Sequence, residues 1–324
     1  MAKIPISILT GFLGSGKTTL LAQILEAHRS QNLAVVVNEW GEVGLDAQVL
    51  KHLCFVPERI RLLQGGCVCC HYRQDLIDSL RVIAQEAPDH VILETSGIAN
   101  PAPILFSLIH DVFLSQHFKV QSVITCLDAL LGAQHLEKHT EAQNQIATSS
   151  VVVITKTDLQ DNFNALSSLV VSINPTALIY DKAKLDPLVL LQENLLTSPI
   201  PTPTPHPHFQ TLCLELEACL DWSAFTLWLS FLLYRYGDRI LRTKGIIQTH
   251  EACVALNGVQ HIIYPPTHLN HIHGQKPQLV FILKDLNPQD IHNSLQTFLK
   301  ALGIEFRARV CLSVGPDSQT PAIT

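Results

Sequence analysis

Three thiols crowd into four residues where the sequence reads GGCVCC, with Cys67, Cys69 and Cys70 as the sulfur donors. Thiolates are soft ligands that suit Zn²⁺, Cu(I) and similar ions. Backbone geometry makes it hard for all three to close a tetrahedral site alone, so further ligands must come from elsewhere. An incomplete ligand set suits transfer of a metal better than permanent structural binding. The plainer alternatives are a structural zinc site or a fortuitous cluster of small buried residues.

A second constellation points to nucleotide chemistry. GFLGSGKT at Gly11–Thr18 fits the phosphate-binding pattern G-x-x-x-x-G-K-[ST]. Gly11, Gly14, Ser15 and Gly16 would turn backbone N–H groups toward phosphate oxygens, Lys17 would reach the β- and γ-phosphates, and Thr18 would ligate Mg²⁺. Thr19 completes the expected nucleotide-contacting set. Downstream, Thr155-Lys156-Thr157-Asp158 resembles the guanine motif N-K-x-D, with Thr in place of Asn. An Asp carboxylate only accepts hydrogen bonds, and guanine offers two donors, N1–H and N2–H₂, on one edge. Adenine has no matching pair, so Asp158 favours GTP over ATP, while the stem of Lys156 lies along the base.

Two further segments belong near the phosphates. Glu94-Thr-Ser-Gly97 stands where a γ-phosphate sensor is expected: Gly97 lets a backbone N–H approach, and Glu94 holds Mg²⁺ through water or orients the attacking water. Asn38–Asp46 (NEWGEVGLD) reads as a switch, with two glycine hinges and the carboxylates Glu39, Glu42 and Asp46. Lys17, Glu94, Gly97 and Glu39 are therefore the candidate catalytic group, and GTP with Mg²⁺ the expected ligands.

Elements that alternate strand and helix must position these groups. Ile4–Thr10, Leu33–Asn38, His90–Glu94, Val120–Leu127 and Val151–Thr155 read as buried strands, each ending in polar residues, and a helix is expected from Lys17 to His28. That order implies an α/β fold, a P-loop NTPase domain with a mostly parallel sheet, and ligands at the carboxyl ends of its strands. The proline-rich stretch 197–210 reads as a semi-rigid linker after a domain of residues 1–196. Beyond it, a strand (Thr211–Leu216), a helix (Ser223–Leu233), β-like runs at Gly245–Thr249, Ala252–Ile263 and Leu279–Leu283, and a helix at Pro288–Leu302 suggest a smaller C-terminal α+β domain over 211–312. Residues 313–324 read as a frayed tail.

Composition bounds the function classes. With 324 residues, 47% hydrophobic and 15% charged, the chain can bury two cores and is not disordered. A net charge of −6 gives no footprint for nucleic acid. No stretch approaches the roughly 18 apolar residues of a membrane span, and the N-terminus lacks a signal-peptide pattern. Nine cysteines, an odd number, read as reduced thiols or ligands, so a cytoplasmic location is expected. Sixteen histidines include His206 and His208 in the linker and His268, His271 and His273 further on. That spacing can bind Zn²⁺ or Ni²⁺ weakly, though solvated loop histidines are commoner.

Taken together, GFLGSGKTTLL, NEWGEVGLD, GGCVCC, ETSGIANP and TKTD resemble the CobW-like family of GTPases, relatives of the hydrogenase and urease metal-insertion GTPases. LRTKG at Leu241–Gly245 and NGVQH at Asn257–His261 look like that family's C-terminal signature. The resemblance implies GTP hydrolysis coupled to metal handling: zinc delivery in many members, cobalamin synthesis or nitrile hydratase activation in others. It carries over Cys67, Cys69 and Cys70 as metal ligands with Glu42 and His110 as neighbours. Members often bear an acid immediately before the switch Asn, where this chain has Val37, so one metal-binding carboxylate is missing. Related GTPases pair through their nucleotide faces, which implies a nucleotide-dependent homodimer, and a client metalloprotein as partner. The alternatives are a regulatory or scaffold protein in which hydrolysis is incidental, and a P-loop kinase, against which Asp158 speaks.

Overall fold

The computed structural model describes residues 2–38, 60–63, 72–160, 163–192, 208–269 and 277–314, and the structural statements below concern these residues. The chain forms two compact units, Met1–Ser167 with Ala177–Ser198, and Ser168–Thr176 with Pro199–Thr324.

In chain order the first elements are β1 (Ile4–Thr10), α1 (Lys17–Ala27), β2 (Leu33–Asn38), β3 (Ile60–Leu63), α2 (Tyr72–Glu86), β4 (His90–Glu94), α3 (Ala102–His110), α4 (Val112–His117), β5 (Phe118–Asp128), α5 (Gly132–Lys138), α6 (Thr140–Thr148), β6 (Val151–Thr155), α7 (Asn164–Ile173) and β7 (Leu178–Asp181). The strands form one sheet in the order β3-β2-β4-β1-β5-β6-β7, every neighbouring pair parallel. The strand sequences explain this arrangement. HVILE of β4 and VVVIT of β6 are buried at every residue, as a strand covered on both faces must be. Helices pack with one apolar face: Leu76, Ile77, Leu80 and Ile83 of α2 are all buried, and Leu20, Leu21 and Ile24 of α1 join Leu9, Val35, Ile92 and Val153 in one core cluster. Burying each such side chain contributes about 1.5–3 kcal/mol.

Because both faces of the sheet are covered, polar side chains concentrate at the carboxyl ends of the strands: Thr10, Glu94, Asp128 and Thr155 are all buried there. One polar network lies inside the sheet instead. The Ser7 hydroxyl bonds His90 Nε2 at 2.9 Å and the Ser122 hydroxyl at 3.0 Å. Burial, with His28 nearby, pulls the His90 imidazole down to about 4.

The later elements are β8 (Phe209–Leu216), α8 (Trp222–Tyr236), β9 (Ile240–Gln248), β10 (Cys253–Val259), β11 (Ile262–Ile263), β12 (Thr267–Leu269), β13 (Gln278–Lys284), α9 (Pro288–Ala301) and β14 (Ala308–Val314). The strands pair antiparallel in the order β11-β10-β9-β13-β8-β14, with β12 on β10. Alternate residues of one face, among them Leu212, Leu214, Leu279, Phe281 and Ile247, form a core with Phe225, Trp228 and Leu295 of the helices. Asp221 caps α8 by accepting from Ala224 N–H at 2.8 Å, and Asn287 caps α9 ahead of Pro288 at the first helical position. The parallel first sheet and the α+β character of the second unit agree with the fold expected from sequence.

Local differences remain. Ser313 and Val314 belong to β14, paired with β8, instead of a frayed tail. β8 begins at Phe209, inside the stretch read as linker. The run Ala252–Ile263 divides into β10 and β11 because Gln260 turns the chain with φ 52°.

Candidate functional site

The phosphate loop follows β1 directly and ends in α1. Gly16 takes the cap position of that helix in the left-handed region (φ 86°, ψ 22°), and no side chain caps the first turn. The N–H groups of that turn therefore stay available to an anion, with the helix dipole behind them. Lys17 Nζ donates to the carbonyls of Gly11 (2.9 Å) and Phe12 (3.3 Å), which holds the ammonium over the loop it serves. The Ser15 hydroxyl is buried and has no hydrogen-bond partner among the described residues, a donor suited to a phosphate oxygen.

Glu94 ends β4, opposite Leu9 of β1 and Val37 of β2. The Thr18 hydroxyl donates to its Oε1 at 3.3 Å. A hydroxyl and a carboxylate oxygen side by side are the hard donors that Mg²⁺ requires, so the residues present fit that ion. Just beyond, Gly97 lies so close to the phosphate loop that a Cβ there would stand 2.6 Å from Leu13 Cδ2 and 2.8 Å from Leu13 N. Glycine is needed for that approach. The loop is held in place by Gln145 of α6, fully buried, whose Nε2 donates to the carbonyls of Gly97 (3.1 Å) and Ala99 (3.0 Å). Sequence inspection passed over Gln145, because an amide in a helix carries no signal of a loop 46 to 48 residues upstream.

The segment expected to read the base, Thr155–Asp158, begins at the end of β6. Thr155 Oγ1 donates to Ser15 O at 2.7 Å and Leu127 O at 3.3 Å, so the Thr that replaces the usual Asn ties this loop to the phosphate loop. Lys156 is left-handed (φ 56°), and its Nζ pairs with Asp128 Oδ2 at 2.6 Å. Burial would raise the Asp128 carboxyl, but Lys156 and the N–H groups of Leu130 and Leu131 outweigh it and hold the group below its ordinary value. Asp158 follows in an exposed single turn, Thr157–Leu159. Asp128 too was absent from the sequence reading. Its one signal was a carboxylate closing an apolar strand.

Phe12 of the phosphate loop stacks on His139 (centroids 4.5 Å) and tilts against His135 (4.7 Å). Burial, then His139, lowers the His135 imidazole, and Asp128 partly offsets them. Cys126 lies against Gly11 of the loop, and burial pushes its thiol up to about 12.

Of the expected metal ligands, Cys67, Cys69, Cys70 and Glu42 lie outside the described residues, as do Glu39 and most of the switch segment. His110 is described: it ends α3, exposed, its ring 4.4 Å from that of Phe106. Among the described residues no three His, Cys, Asp or Glu side chains gather as a metal group. His268 belongs to β12 and shares a hollow with His250, Glu251 and Asp221, while His208 meets Asp285 at 3.4 Å; His206, His271 and His273 lie outside the described residues. No described helix is long and apolar enough to cross a membrane.

Comparison with known proteins bears on this geometry. The family described as "CobW/HypB/UreG, nucleotide-binding domain" matches residues 5–180, and "Cobalamin synthesis protein cobW C-terminal domain" matches residues 209–299. The zinc chaperone YjiA of Escherichia coli is 29% identical over 76% of this chain and 82% of its own length. The zinc-regulated GTPase metalloprotein activator 1 of Dictyostelium discoideum is 29% identical over 54% of this chain, which spans only 45% of that relative. In structure, the Zn(II)-bound YjiA GTPase of E. coli superimposes with a TM-score of 0.69 at 23% identity, covering 92% of this chain and 99% of the other, which shows a shared fold.

Proposed function

The chain belongs to the CobW/HypB/UreG family of nucleotide-binding proteins, and on that premise we propose that it is a GTP-hydrolysing metallochaperone that takes Zn²⁺ at Cys67, Cys69 and Cys70 and delivers it to a client protein. The observation that carries this reading is the convergence, at the carboxyl ends of β1, β4 and β6, of Lys17, the Thr18–Glu94 pair and the Thr155–Asp158 loop. The naming of relatives as zinc chaperones and zinc-regulated GTPases supports the metal half of it.

In this reading the protein does little covalent chemistry beyond positioning and charge stabilisation. The N–H groups of the phosphate loop, with Gly11, Gly14, Ser15 and Gly16, cradle the phosphates, and Thr19 lies in the first turn behind them. Lys17 neutralises phosphate charge, and Thr18 with Glu94 would hold Mg²⁺, which would supply further neutralisation of phosphate charge. Gly97 offers its N–H to the γ-phosphate, and Glu94 or Glu39 orients water. Asp158 reads the guanine edge, and the stem of Lys156 lies along the base. GTP bound next to Asn38–Asp46 alters the metal affinity of the cysteine cluster, with Glu42 and His110 as its further ligands, and hydrolysis releases the metal. Residues 1–196 act as the GTPase domain, joined by the proline-rich stretch ahead of Phe209 to the C-terminal domain. The protein works in the cytoplasm, as a homodimer in the GTP state.

Phosphate release measured with GTP and ATP, each with and without Zn²⁺, tests this. The expected result is Zn²⁺-responsive turnover of GTP and little of ATP. Turnover indifferent to Zn²⁺ would leave a GTPase whose metal site is structural, and equal use of ATP would remove the guanine reading.

A further inference from the structure

Two carboxylates flank Lys156, and the structure sorts them. Asp128, at the end of β5 and opposite Thr155 in register, is only 2% exposed. Its Oδ2 takes the Lys156 ammonium, and its Oδ1 takes the N–H groups of Leu130 (2.8 Å) and Leu131 (3.3 Å). Three donors compensate the buried charge. Asp158, two residues from Lys156, is exposed and makes no ion pair with it. An ion pair between Lys156 and Asp158 would occupy the oxygens that have to accept N1–H and N2–H₂ of a guanine.

We infer that Asp128 is a positioning residue for base recognition: it draws the Lys156 ammonium to the strand end, lays the hydrocarbon stem along the base slot and keeps Asp158 open to the guanine edge. This rests on the guanine reading above and deepens it. Backbone conformation agrees. Lys156 occupies the left-handed region (φ 56°, ψ 30°), which costs a residue with a Cβ about 1–2 kcal/mol. The ion pair and the Leu159 N–H to Lys156 O bond (3.1 Å) hold it there. A free lysine loses about 2 kcal/mol of rotamer entropy when it is pinned. Pairing with Asp128 meets that cost before nucleotide arrives, so less is lost on binding. The side chain of Lys156 is still 37% exposed, which leaves its stem accessible while its charge is tied down.

Nucleotide affinities of Asp128→Asn, Lys156→Met and the double variant test this in the full chain. Asn keeps an acceptor for the Leu130 and Leu131 N–H groups but loses the charge that draws Lys156. Asp128→Asn is expected to reduce the preference for GTP over ATP by about three- to tenfold, through weaker GTP binding at nearly constant ATP affinity. Lys156→Met should lose a similar part of that preference, and adding Asp128→Asn to it should cost nothing more, since the two act as one unit. The inference is overturned if Asp128→Asn weakens GTP and ATP alike, if it keeps the parental ratio, or if the two losses add. Should Asp128→Asn not fold, full retention of the GTP preference in Lys156→Met overturns it as well. Asp158→Asn separates the two levels of the reading. If it keeps the parental GTP preference, guanine reading by this loop fails and the inference with it. If it removes the preference while Asp128→Asn does not, only the role of Asp128 fails.

Discussion

The two units bury polar groups in different places. In the first, a parallel sheet covered on both faces pushes polarity to the strand ends, where Glu94, Asp128 and Thr155 are each engaged by a neighbour from another strand or loop. In the second, an antiparallel sheet devotes one face to the α8 and α9 core, and Arg242 and Lys244 lie within strand β9. Arg242 of β9 is buried beside the Tyr264 phenol, and burial followed by Arg242 draws the Lys244 ammonium down to about 7. Sheet type thus decides where chemistry can be placed. Parallel strands gather several loops at one edge, whereas antiparallel strands return their loops to both ends.

If the division holds, damage to the second core should cost stability and spare nucleotide binding. Phe281, fully buried, meets Trp228 edge-on at 6.1 Å. Phe281→Ala should destabilise the second unit by about 3–5 kcal/mol. Chemical denaturation should show the loss, with GTP affinity measured under native conditions unchanged. A parallel fall in GTP affinity would break the comparison.

A smaller effect belongs to the first unit. Folded His90 stays neutral down to about 4 against an ordinary 6.5. Below pH 6.5 the unfolded chain therefore binds the extra proton, and stability falls with pH. The contribution is present in full above 6.5 and is lost progressively toward 4, about 3 kcal/mol in all. Denaturation midpoints across that window should fall more steeply for the parent than for His90→Asn. Equal slopes would contradict the burial argument.

Lys17→Ala acts on the strand-end site alone. The ammonium bonds two loop carbonyls, and if it neutralises phosphate as proposed, GTP affinity and hydrolysis should drop by about a hundredfold or more with the fold intact. Unchanged GTP affinity would show that the phosphates bind elsewhere.

Legibility from sequence followed the same divide. The places of Gly11–Thr18, Glu94 and Thr155–Asp158 in the fold were readable because each is a short motif closing an apolar strand, and local pattern suffices for that. Asp128 and Gln145 were not, since their roles come from contacts 28 residues away with Lys156 and 46 to 48 residues away with the Gly97 loop. The Thr155 hydroxyl took up the bracing expected of Asn by reaching Ser15, 140 residues distant, which no local pattern encodes. In the second unit, β14 was missed because an edge strand after a helix is specified by its partner β8 more than by its own composition. Gln260 broke a continuous β-like run for a similar reason, a backbone turn that its side chain does not advertise.

Coupling of metal and nucleotide through the segment from Asn38 to Cys70 is open to direct test by paired titration calorimetry. Zn²⁺ binding is measured without nucleotide, with GDP and with a GTP analogue plus Mg²⁺, for the parent and for Cys67→Ser/Cys69→Ser/Cys70→Ser. Zn²⁺ affinity should differ between nucleotide states by about five- to 150-fold, and Zn²⁺ should change GTP affinity by the same factor, as linkage requires. The triple variant should lose tight Zn²⁺ binding and the coupling while keeping GTP. Equal Zn²⁺ affinity in all three nucleotide states would rule out the coupling and leave a GTPase with an independent metal site.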